Sequence, residues 1–195
     1  MESDRRHALR PSQGPRLGWV AGRGVTIDDS PIEVRETRLE DSDEIDQLFE
    51  ILDAYARGAG GQNAPLSPEA RENLGPGLRD HPNAFVLFGS LAGRVVGAAV
   101  CVWGFSTFAG RPSLNLHDFS VLPEAQGLGV GTALLSELER RARERGAAKM
   151  TLEVHDSNEA AKRLYARFGF EGWSSPTLFV SKPLRRASGR RRNRE

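Results

Sequence analysis

The sequence predicts an α/β (α+β) fold, a mixed sheet with helices on both faces. Two strand-like runs, AFVLFGSL and VVGAAVCVWGF, flank the short turn AGR and read as a hairpin. Farther along, strand-like segments alternate with helical ones. Apolar residues at three- and four-residue spacing, before and after the hairpin, supply helices to cover the sheet.

Taken in order, IEVRETR (32–38) alternates as a first strand. Asp41 or Ser42 then opens a helix whose Ile45, Leu48, Phe49 and Leu52 form one apolar stripe. GAGGQNAPLSP (58–68) is a loop rich in structure-breaking residues, and a short helix, EARENL, follows it. After the hairpin, SLNLHDFSVL (113–122) is another strand, and a helix runs to about Arg145. AKMTLEVH (148–155) is a fifth strand. In DSNEAAKRLYARFGF (156–170), Asp156 and Glu159 have capping-box spacing, which starts a short helix near Ser157; Gly169 closes it. Ala161, Leu164, Tyr165 and Phe168 then share a face, and SPTLFVSKPL returns as a last strand.

The 195 residues, 38% hydrophobic and 27% charged, suit one folded domain with unpacked ends. Residues 1–30 are rich in Gly, Pro, Ser and Arg without periodicity and read as a disordered extension. Residues 31–183 form the domain, and 184–195 a basic tail. No apolar run approaches the roughly 18 residues needed to span a bilayer. The charged N-terminus lacks the apolar stretch of a signal peptide, so a cytoplasmic protein is expected. Cys101 is the single cysteine, which excludes an internal disulfide framework and a cysteine-based metal cluster; it reads as a small buried hydrophobe.

The net charge of +1 hides an asymmetry. The tail carries six arginines and one glutamate, residues 1–30 five arginines and four acids, and the body between them 16 basic and 21 acidic residues. Without interleaved aromatics or an RNA-binding motif, GRRRNRE reads as a solvated tail rather than a nucleic-acid patch.

The stretch LPEAQGLGVGTALL (122–135) enters a helix through Gly127, Gly129 and Gly131. A dinucleotide fingerprint would need a third glycine at Thr132 or Leu134. A nucleotide P-loop would need a Gly-Lys-Ser/Thr ending, and the first lysine is Lys149. What remains is Q-x-x-G-x-G between a strand and a long helix, with exposed amides that suit a pyrophosphate. For these six residues alone, a glycine-rich packing turn is an equal reading.

The wider context decides. LNLHDFSVLPEAQGLGVGTALLSELERRARERG followed by AAKMTLEVHDSNEAAKRLYARFGFEGW resembles the GCN5-related N-acetyltransferase superfamily. The resemblance implies that superfamily's fold, with a mostly antiparallel sheet of six to seven strands. It implies acetyl-CoA as co-substrate and no metal. The pyrophosphate would be held by Gln126, Gly127, Leu128, Gly129, Val130, Gly131 and Thr132. The thioester carbonyl would meet main-chain groups of Phe119, Ser120 and Val121, where the family's strand splays from its neighbour at a bulge. Asn158 matches the family's pantetheine-contacting asparagine, and Tyr165 its tyrosine beside the CoA sulfur. GFSTFAGRPSLNLHDF is also similar to the spermidine/spermine and diamine acetyltransferases, which carry Glu-Asp where this chain has His117-Asp118. That departure weakens any transfer of polyamine specificity.

Acetyl transfer to an amine needs a neutral nucleophile, a stabilised oxyanion and a protonated leaving thiolate. At pH 7 the free base of an alkyl amine with pKa near 10.4 costs about 4–5 kcal/mol. A base, direct or through water, would supply about 10²- to 10⁴-fold in rate. Asp118 and His117, and then Glu153 or His155, are the candidates. Strand alternation places His117 and Asp118 on opposite faces, which leaves Asp118 as an alternative binder of the cationic amine. Tyr165 is the expected general acid, since a phenol near pKa 10 gives up its proton to a thiolate near 8.5 at modest cost. Trp103, Phe105 and Phe108 lie in the segments expected to line the acceptor entry.

The function expected is transfer of acetyl from acetyl-CoA to a small-molecule or protein amine by direct attack in a ternary complex. The resemblance adds pairing as a homodimer. Two other readings remain at this level: a non-catalytic acetyl-CoA-binding regulator on the same fold, and a nucleic-acid-associated protein that uses its arginine-rich tail.

Overall fold

The structure is a computed structural model that describes residues 31–58, 61–174 and 182. The expected extension (1–30), the last strand within SPTLFVSKPL and the basic tail lie outside the described residues, Lys182 excepted. The elements run β1 (Ile32–Glu36), α1 (Ser42–Arg57), α2 (Pro68–Asp80), β2 (Ala84–Leu91), β3 (Arg94–Ser106) and β4 (Arg111–Val121). A 3-10 turn (Pro123–Ala125), α3 (Val130–Glu144), β5 (Lys149–Leu152) and α4 (Glu159–Arg167) complete them. The sheet order is β1-β2-β3-β4-β5, antiparallel except for the parallel β4–β5 pair. The described sheet therefore has five strands where six to seven were expected. No helix among the described residues is long and apolar enough to cross a membrane.

Alternation along β2 divides the core. Phe85 and Leu87 join Ala99, Cys101, Leu114 and Leu116 beneath Leu134, Leu135 and Leu138 of α3. Val86 and Phe88, with Ala98 and Val100, face Leu48, Ile51 and Leu52 of α1. Cys101 is fully buried, as its neighbours imply. The β2–β3 hairpin closes on Ala92 and Gly93, both at positive φ (51° and 76°), the signature of a two-residue primed turn.

α2 is longer than expected. It continues past EARENL through Gly75, Pro76 and Gly77 to Asp80. Tertiary packing overrides local propensity here. A Cβ on Gly75 would come within 3.1 Å of Ile45, so glycine lets α2 close on α1. Arg71 reinforces the contact, pairing with Asp46 at 2.9 Å and lying 4.4 Å over the Phe49 ring.

Candidate active site

The site begins where β4 leaves β5. Their pairing runs from Ser113↔Lys149 to Leu116↔Leu152 and stops. At the same place β4 carries a bulge against β3: Cys101 pairs with Leu116 and Val100 with Asp118, so His117 is the extra residue. Beyond it Leu122 N donates to Val96 O at 2.8 Å. Antiparallel alternation then turns Ser120 toward β3 and leaves the main-chain groups of Phe119 and Val121 facing the gap. Of the three residues expected to meet a thioester, Ser120 is thus turned away: its main chain pairs with Ala98 and its side chain is buried.

The bulge also corrects the expected placement of His117 and Asp118. Simple alternation separates them, but the extra residue brings His117 Nδ1 to 3.0 Å from Asp118 Oδ2. Asp118, opposite Val100, faces the α1 side. His117 is 67% exposed and Asp118 36%, so the pair is open to solvent. Glu153 and His155, the other candidate bases, are exposed past the end of β5, and no ion pair or hydrogen bond joins them to this dyad.

The glycine stretch forms the other end of the site. Gly127 and Gly129 have φ of 78° and 92°, which side-chain-bearing residues resist. A Cβ on Gly127 would point into open space. Gly131 serves packing instead: a Cβ there would lie 3.1 Å from Leu164 and 3.6 Å from the Phe119 ring. Packing therefore accounts for Gly131, while Gly127 and Gly129 answer a backbone requirement for positive φ. Val130 fixes the helix start, its side chain fully buried against Gly89 and Gly97, where a Cβ would come within 2.8 and 3.0 Å of it.

The first helical bond of α3 runs from Ala133 N to Gly129 O at 3.0 Å, so the amides of Val130, Gly131 and Thr132 precede the ladder. No side chain caps this end and no acidic residue lies in its first turn. An anion approaching it meets aligned N–H groups, the helix dipole and no competing carboxylate there. Leu128 N is already bonded, at 3.4 Å to Ala125 O. The Gln126 side chain turns back along the strand, and its Nε2 donates to Val121 O at 3.0 Å.

α4 brings Tyr165 to the gap. The ring is 5% exposed and meets Phe119 and Phe170 edge-on, at centroid distances of 5.9 and 5.7 Å. Burial first, and then Tyr55, pushes its phenol up to about 12. Tyr55, near the end of α1, is the residue that sequence reasoning missed. Its own phenol is raised by burial and then by the Asp118 carboxylate, so Tyr55 lies within electrostatic reach of Asp118 on one side and of Tyr165 on the other. The only signal was that Tyr55 extends the stripe of Leu48 and Leu52 at helical spacing.

The start of α4 differs from the expected capping box. Asn158 is the cap, its Oδ1 accepting from Ala161 N at 3.1 Å, and the helix begins at Glu159. Asp156 instead pairs with Lys162 Nζ at 3.0 Å, which Glu159 shares at the same distance. The ammonium draws both carboxylates away from the backbone. Asn158 Oδ1 is thus committed to the cap.

Trp103 lies apart, on the α3 side, stacked on Phe85 at 5.7 Å and covered by Arg145 at 4.4 Å. Phe105 and Phe108 are exposed at the far end of the β3–β4 hairpin. Among the described residues no three His, Cys, Asp or Glu side chains are grouped to hold a metal ion.

The chain has known relatives. The family model described as the Acetyltransferase (GNAT) family matches residues 45–170, and the chain belongs to that family. It is 32% identical over 102 residues to a thialysine N-epsilon-acetyltransferase of Mus musculus, a match covering 49% of this chain and 59% of that protein. It is 35% identical over 95 residues to an uncharacterized N-acetyltransferase of Methanocaldococcus jannaschii, covering 48% and 41% respectively. The match thus spans roughly half of each relative. In fold, the crystal structure of a possible acetyltransferase from Clostridium difficile 630 is similar with a TM-score of 0.66 at 17% identity, over 79% of this chain and 99% of that one.

Proposed function

We propose that this chain is an N-acetyltransferase that moves the acetyl group of acetyl-CoA to a primary amine, both substrates being bound together. One observation carries the reading: the unpaired amides at the start of α3 and the open edge of β4 border the same gap, which Tyr165 and the His117–Asp118 pair flank. Acetyl-CoA suits these groups. Its diphosphate calls for the amides of Gly127 and Gly129 to Thr132, and its amide-bearing arm for the main chain of Phe119 and Val121 and for Asn158 Nδ2. Bound there, it supplies an activated acyl group and a thiolate that can leave.

The chain's own groups divide the remaining work. Asp118 attracts the incoming ammonium and, with His117, takes its proton directly or through water, against a deprotonation cost of about 4–5 kcal/mol at pH 7. The Phe119 and Val121 amides are poised for the developing oxyanion. Tyr165 holds its proton tightly, at about 12. Full transfer to a free thiolate near 8.5 is then uphill by about 5 kcal/mol. Tyr165 therefore acts first as a hydrogen-bond donor to the departing sulfur and yields its proton late.

A small lysine-like amine is the proposed acceptor class, supported by the thialysine specificity in the mouse relative's name and by the acidic body of this chain. The test is thiol release from acetyl-CoA with thialysine, lysine, diamines and polyamines in turn. Release with thialysine or lysine above the diamines supports the class. No release with any of these amines overturns the reading.

A further inference from the structure

The Gln126 side chain points away from the helix start that an anion would occupy and into the splayed strand. Its Nε2 lies 3.0 Å from Val121 O. Only the amide nitrogen can make this contact, since Val121 offers a carbonyl. Val121 O faces the gap, because the adjacent Leu122 is the residue bonded to β3. The β4–β5 pairing ends at Leu116, so among the described residues no neighbouring strand takes up this carbonyl. Gln126 does, and it ties β4's last residue, Val121, to the loop that begins α3.

We propose that Gln126 is a positioning residue: its side-chain amide holds the open end of β4 so that Val121 presents its main chain to the acyl-bearing arm of coenzyme A, while the diphosphate is left to the backbone amides. This rests on the acetyl-CoA reading above. It places the side chain's effect at the thioester end of the ligand, about five residues of chain away from its own loop. A donor of similar reach should serve equally, so Gln126→Arg keeps the function and the neutral, near-isosteric Gln126→Met loses it. Gln126 is exposed, and neither variant disturbs the core.

The experiment is calorimetric titration of the full chain and both variants with two probes: acetyl-CoA, and 3′-phosphoadenosine diphosphate, which has the diphosphate but no arm. The expected result is that Gln126→Met weakens acetyl-CoA about fivefold, the worth of one ordinary hydrogen bond, and 3′-phosphoadenosine diphosphate less than about twofold. Gln126→Arg restores acetyl-CoA affinity. Equal weakening of both probes means a diphosphate contact or a general loosening and overturns the proposal, as does unchanged binding of both. Lack of acetyl-CoA binding by the unaltered chain removes the acetyl-CoA reading itself, and the proposal with it. Binding by the unaltered chain with no effect of Gln126→Met sinks only the positioning role.

Discussion

His117 and Asp118 are neighbours on one strand, yet their side chains meet, with Nδ1 3.0 Å from Oδ2. An ideal strand sends successive side chains to opposite faces, and the bulge against Val100 and Cys101 is what cancels the alternation. The same bulge marks the end of β4–β5 pairing. One extra residue therefore both opens the gap and arms its α1 side.

If this pair handles the amine's proton, Asp118→Asn should lower kcat/KM for a lysine-like amine by about 10²-fold or more, within the range for a lost general base. His117→Ala should cost less, and acetyl-CoA affinity should stay near its original value in both. A loss confined to acetyl-CoA binding would place the pair on the wrong substrate.

Tyr165→Phe removes one oxygen from a buried ring and leaves its packing on Phe119 and Phe170 in place. Turnover should fall by about 10²-fold, with the acetyl-CoA Kd within about threefold. Using acyl donors whose thiols leave more readily should narrow the gap between variant and original. Equal loss with all donors would show that the hydroxyl does not act on the leaving group.

The glycines should separate by phenotype. Gly127→Ala strains a left-handed residue in open space, at about 1–2 kcal/mol, and should weaken acetyl-CoA while the fold survives. Gly131→Ala crowds the Leu164 side chain, 3.1 Å from the added Cβ, so its main effect should be a lower Tm, from overpacking of about 1–3 kcal/mol. Thermal melts with and without acetyl-CoA read both effects.

Alkaline unfolding should report two buried groups. Burial raises the Cys101 thiol from 9.0 to about 12 and the Tyr165 phenol from 10.0 to about 12. In each case the folded value exceeds the unfolded one, so the stabilisation is whole below the unfolded value and is lost as pH climbs toward 12. Denaturant melts should show stability falling from about pH 9, and Cys101→Ala should remove the part of the slope that begins there. An unchanged slope would mean that the thiol is not protected.

Much of the fold could be read from the sequence, because hydrophobic period is a local property. The β2–β3 hairpin, the stripe of α1 and the glycine entry to α3 all follow from spacing. The bulge does not, since register is decided between strands and nothing within NLHDFS marks the extra residue. The length of α2 turned on Gly75 meeting Ile45, a contact between helices. At α4 two acceptable caps competed, and Lys162 decided for Asn158 by drawing Asp156 off. Tyr55 reached the site only through the way α1 crosses the sheet.

The amides that open α3 are the center of the account, and they can be observed one by one. Acetyl-CoA added to the ¹⁵N-labelled chain should shift the backbone resonances of Gly127, Gly129, Val130, Gly131 and Thr132 together and saturably. Phe119 and Val121 should follow, and 3′-phosphoadenosine diphosphate should move only the first group. Saturable binding that leaves those five resonances in place, or no binding at all, would contradict it.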